Sequence, residues 1–135
     1  MGLLTVLIPY GAGAFFLNTL HDLAGSDLVD SVAVISREEV KPAASKCRTV
    51  VADSIVSGEM LHRVLDTLKS RYLLILSSGG LVLDQDGGLG ELVKTAESTR
   101  AGMVYGDFFD RTKQAENLHP LNAYQFGSVR DDFDF

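Results

Sequence analysis

The chain has 135 residues, a length suited to one hydrophobic core, with 46% hydrophobic residues and a formal net charge of −6. That charge argues against a nonspecific nucleic-acid binder, which needs a basic face. It leaves room for a small anionic ligand, because backbone amides and one or two cations can hold a phosphate. The single cysteine, Cys47, leaves no intrachain disulfide to form and fits a reducing, cytoplasmic setting. No apolar run approaches the roughly 20 residues needed to span a bilayer. The apolar start lacks both a basic residue before it and a small-x-small cleavage site, so no signal peptide is expected. The three histidines are far apart in sequence, and no Cys/His metal spacing exists.

In chain order, Thr5 to Tyr10 is a short continuous apolar strand ended by a proline, Pro9. Gly11-Ala12-Gly13 is a turn. Ala14 to Ala24 carries Phe16, Leu17, Leu20, Leu23 and Ala24 at helical spacing, with Gly25 as the stop. Val32 to Ser36 is a second strand, and the polar stretch Arg37 to Lys46, which holds Pro42, is loop. Arg48 to Ala52 is a third strand. Ser57 caps a helix running to about Ser70, with Met60, Leu61, Val64, Leu65 and Leu68 on one face. Tyr72 to Leu76 is the fourth strand. Leu89, Leu92, Val93 and Ala96 form another helical face that ends near Thr99, and Ala101 to Tyr105 reads as a fifth strand closed by Gly106-Asp107. After Asp110 the chain is polar and aperiodic, so residues 1–110 are expected to be the core and 111–135 an extended tail. The ending, DDFDF, suggests the N-terminal part of a longer protein.

Continuous apolar strands alternating with helices predict an α/β fold: an open, mostly parallel, Rossmann-like sheet with helices on both faces. Ligands of such sheets collect at the carboxyl ends of the strands. Those ends carry Pro9-Tyr10, Ser36-Arg37, Asp53-Ser54, Ser77 to Gly80 and Gly106-Asp107.

Each of these has two readings. Gly11-Ala12-Gly13 is either a phosphate turn at a helix N-terminus or a tight strand-to-helix turn, and the pattern is not G-x-G-x-x-G because Phe16 takes the third position. Asp53 is either an acceptor for a base or ribose hydroxyl or a loop aspartate before a helix. Arg37 is either a phosphate partner or a solvated loop arginine. Asp107 is either an acid facing a cleft or a turn residue. His119-Pro120 reads as a loop element, and Arg130-Asp131-Asp132 as a charge cluster in the tail.

The order of these pieces resembles the N-terminal, nucleotide-sugar-binding part of a bacterial family 2 glycosyltransferase with the GT-A fold. The resemblance covers almost the whole chain. It rests on the opening strand Thr5 to Tyr10, the strand Tyr72 to Leu76 after a long helix, and Ala101-Gly102-Met103-Val104-Tyr105-Gly106-Asp107. The more specific part is the tail, His119-Pro120 through Tyr124-Gln125, Gly127-Ser128 and Arg130-Asp131-Asp132-Phe133-Asp134-Phe135.

The resemblance implies transfer of a sugar from a nucleoside diphosphate to an acceptor that the sequence does not identify. Pro9 and Tyr10 would line the base pocket, with Ser36, Asp53, Ser77 and Asp107 around the nucleotide sugar. It also implies a divalent metal, Mg²⁺ or Mn²⁺, held by an Asp-x-Asp motif after the fourth strand, where it offsets the charge of the leaving diphosphate. The general base and acceptor part would lie beyond residue 135, so this stretch alone is not expected to turn over.

This chain departs at the metal motif: Ser77 and Gly79 take the positions of the two acids. A second register would use Asp84 and Asp86, but the spacing to Leu89 leaves almost no loop before the next helix, where Asp84 suits an N-cap. Metal is therefore expected to be weak or absent, or held by Asp107 with Asp84 or Asp86. The neutral Ser77 to Gly80 segment also supports a rival reading, a catalytically degenerate GT-A-like module for binding or assembly. A nucleotidyltransferase is a third reading, weakened by the absence of a Gly-rich phosphate loop with its basic residue.

Overall fold

A computed structural model of the chain describes residues 2–42, 44–77, 87–106, 108–111 and 115–119. The elements run β1 (Leu4–Pro9), α1 (Ala14–Gly25), β2 (Val29–Ser36), β3 (Cys47–Val51), α2 (Gly58–Asp66), β4 (Tyr72–Ile75), α3 (Gly88–Thr99), β5 (Phe108–Arg111) and β6 (Glu116–His119). The chain divides into two compact units, Met1–Leu89 and Gly90–Phe135.

The first unit is the expected α/β sheet. Its strands lie in the order β3-β2-β1-β4, and every neighbouring pair is parallel. Strand residues point alternately to opposite faces, and this alternation divides the core. Val6, Ile8, Val32 and Val34 face one way and pack with Phe16, Leu20 and Leu23 of α1. Leu7, Ala33, Ile35 and Val50 face the other way and pack with Met60 and Val64 of α2. Both sides of the central strands are covered, which is why β1 reads as an unbroken apolar run.

The helices take opposite faces for a topological reason. The chain steps from β1 to β2 to β3 in one direction and then reverses past β1 to reach β4. Crossovers of the same hand in opposite directions place their helices on opposite sides of a sheet. The reversal also opens the sheet at the carboxyl end of β1, where the connections diverge.

Local chemistry sets the helix limits. Gly13 precedes α1 with φ 103°, a conformation other residues adopt only with strain, and no side chain caps this end. Ser57 caps α2 as expected, its hydroxyl accepting from the Met60 N–H at 3.4 Å. This helix stops at Asp66 rather than near Ser70. The Thr67 and Leu68 amides donate to the carbonyls three residues back, Val64 and Leu65, at 3.1 Å each, which tightens and ends the last turn. Leu65, expected on the packed face, is 50% exposed, while Met60 and Val64 are fully buried.

The second unit corrects two expectations. Residues 101–106 form neither helix nor strand, so the fifth strand predicted at Ala101 to Tyr105 is not formed. A strand requires a neighbour to take its backbone groups, and this segment joins no sheet. It leaves α3 through Arg100 in the left-handed region, φ 55°, and Met103 is 63% exposed. Strands occur instead at β5 and β6, an antiparallel pair with Phe108 opposite His119 and Arg111 opposite Glu116. His119 therefore ends a strand rather than sitting in a loop. The helix α3 matches the predicted face, with Val93 buried.

Candidate functional site

The carboxyl end of β1 is built by register. Pro9 is the last strand residue and aligns with Ile35 of β2. The following amide, Tyr10 N–H, donates to the Ile35 carbonyl at 2.8 Å and prolongs the pairing by one bond. Pro9 has no N–H to give, so the Tyr10 bond closes the strand and turns its ring outward. The ring is half exposed and meets Phe16 of α1 edge to face, with centroids 5.3 Å apart and an interplanar angle of 73°. Such a pair contributes about 0.5–1.5 kcal/mol beyond burial. It also holds the Tyr10 ring in one orientation.

Beside this ring lies a cleft of about 160 Å³. Its walls are Phe16 and Leu17 of α1, Val34 of β2, and Lys41 and Pro42 of the loop after β2, with Tyr10 at its mouth. Leu17 belongs to the apolar stripe of α1 yet is 44% exposed, because it faces this opening rather than the sheet. The loop is fastened to the sheet by the Thr49 hydroxyl, which donates to the Val40 carbonyl. The cleft is thus mostly apolar, with one cation at its edge, and lies where open parallel sheets bind ligands.

The other predicted site residues are distributed as follows. Ser36 ends β2, and its hydroxyl accepts from the Glu38 N–H at 3.3 Å, which forms a local turn. Asp53 follows β3 in an exposed bend and Ser77 follows β4, also exposed. The register puts Pro9, Ser36 and Val51 at successive strand ends along one edge of the sheet. Asp84, Asp86 and Asp107, the candidate metal ligands, lie outside the described residues, as do Gly79 and residues 120–135 of the tail. Among the described residues no group of three or more His, Cys, Asp or Glu is placed to hold a metal ion.

Three contributors were missed in the sequence. Lys41 and Pro42 stand in a stretch read only as loop, and Phe16 was assigned to the core alone. Pro42 carried a signal: the residue before a proline is restricted to extended backbone, so Lys41-Pro42 was a defined arm rather than a free segment.

Among the described residues no helix is long and apolar enough to cross a membrane. Burial pushes the half-buried Cys47 thiol above its ordinary pKa, which makes it a poor nucleophile at neutral pH. No family model, no curated protein and no solved structure matches this chain.

Proposed function

We propose that the chain is the nucleotide-sugar-binding part of a glycosyltransferase, with the base held in the cleft beside Tyr10. One observation carries this reading: the cleft at the carboxyl ends of β1 and β2, next to the point where the sheet reverses direction. A ring entering there meets the Tyr10 face and the apolar side chains of α1. The ribose and diphosphate would extend along the strand-end edge toward Asp53 and Ser77. The divalent metal of the proposed reaction would offset charge on the departing diphosphate. Ser77 would supply at most one neutral oxygen to it, so carboxylates would have to complete its ligand set.

The test is calorimetry with UDP- and GDP-sugars, with and without Mn²⁺. Binding of a donor that is lost in Tyr10→Ala supports the reading, and no heat with any donor overturns it. A second reading is favoured by Ser77 itself, a neutral residue where a metal-binding acid belongs: a module that binds the nucleotide sugar without transferring it. Donor affinity unchanged by Mn²⁺ would favour that module over the enzyme.

A further inference from the structure

The cleft is too small for a whole nucleotide sugar. Pockets for drug-sized ligands run to about 300–1,000 Å³, against about 160 Å³ here. It takes one ring of a ligand whose remainder lies outside. Its lining is mostly apolar, with the Tyr10 hydroxyl and some backbone as neutral polar groups; among the described residues that form the walls, Lys41 is the single charged side chain.

The position of Lys41 is constrained on both sides. The preceding residue, Val40, is fastened to β3 through the Thr49 hydroxyl. The following residue, Pro42, limits Lys41 to extended backbone and itself forms part of the wall. The ammonium group has three donors and no acceptor. It therefore favours a ring that turns carbonyl oxygens toward it and disfavours one that turns an amino group.

We infer that Lys41 is the specificity-determining residue of the cleft, selecting a single planar ring that bears carbonyl groups and no exocyclic amine. Resting on the nucleotide reading above, this means uracil or thymine over cytosine, adenine or guanine. Cytosine places an amino group where uracil has a carbonyl, and the purines add a second ring to a space sized for one.

The experiment measures the affinities of UDP, TDP, CDP, GDP and ADP for the full 135-residue chain, and repeats them with Lys41→Met and Lys41→Arg. Lys41 is exposed, so both variants should unfold at the wild-type temperature, which circular dichroism checks. UDP and TDP are expected to bind about tenfold or more tightly than CDP, the size of one hydrogen bond to a charged group. Lys41→Met should bring UDP down to the CDP level and leave CDP unchanged, while Lys41→Arg keeps the preference. Equal binding of UDP and CDP to the wild type, or a preference that survives Lys41→Met, overturns the role of Lys41 and leaves the nucleotide reading standing. Failure of all five nucleotides to bind overturns both.

Discussion

The two ends of the parallel sheet are built differently. At the amino ends, polar side chains tie neighbouring elements together. Thr5, 2% exposed, shares its hydroxyl with Ser31 of β2 at 3.2 Å and accepts from Ser70, just before β4, at 2.7 Å. Lys46 reaches from the start of β3 to the carbonyls of Ser26 and Val29 at 3.1 and 2.9 Å, joining the end of α1 to the start of β2. Gly2 passes so close to β2 that an added Cβ would lie 2.3 Å from the Asp30 nitrogen.

At the carboxyl ends, Tyr10, Asp53 and Ser77 stand exposed. The side-chain ties there, Arg63 to the Val51 carbonyl and Thr49 to the Val40 carbonyl, hold the β3 edge and its loop, not β1. The contrast teaches that one end fixes the strands so that the other can carry loops and, in the proposed reading, ligand.

The comparison can be broken from either side. The largest effect belongs to the core that both ends share. Leu20→Ala removes a side chain 1% exposed under β1 and β2, and should cost about 2–5 kcal/mol in urea unfolding. At the amino end, Thr5→Val removes the hydrogen bonds to Ser31 and Ser70, Ser70 keeping its bond to the Tyr72 carbonyl, and should cost about 1–3 kcal/mol by the same measurement. At the carboxyl end, Tyr10→Ala loses little more than the edge contact with Phe16, about 0.5–1.5 kcal/mol, yet should abolish donor binding in calorimetry. A Tyr10 variant as destabilised as the Thr5 one would dissolve the division of labour between the two ends.

The smallest effect concerns Cys47, at the start of β3. Its raised pKa disfavours the thiolate in the folded chain only. Stability from this group is therefore full below the pKa of the unfolded thiol and falls as pH rises from there through the folded value. Iodoacetamide should label Cys47 more slowly in the folded chain than in urea, and equal rates would show that β3 shields nothing.

Much of the fold was legible because the deciding signals were local. Continuous apolar strands at Thr5 to Ile8 and Val32 to Ile35 announced a sheet covered on both faces. Ser57 announced the start of α2. The misreading at Ala101 to Tyr105 has a physical source: an apolar run ending in Val104-Tyr105 states what could form a strand, whereas pairing depends on a partner elsewhere. FFDR and ENLH show the converse. Neither alternates, and each becomes a strand because the other lies antiparallel beside it.

For the candidate site, Pro9 and Tyr10 were legible because a strand end followed by glycines marks a loop at the sheet edge. Lys41 and Pro42 were not, since only the tertiary structure brings residues some thirty positions downstream to the same cleft. By itself the sequence determined the element types of the first unit, the two-faced core and the absence of acids at Ser77 and Gly79. These depend on residues close together in the chain. The tertiary structure alone decided the strand order, the pairing of β5 with β6 and the cleft, because each is made by groups distant in sequence that meet only once the sheet has formed.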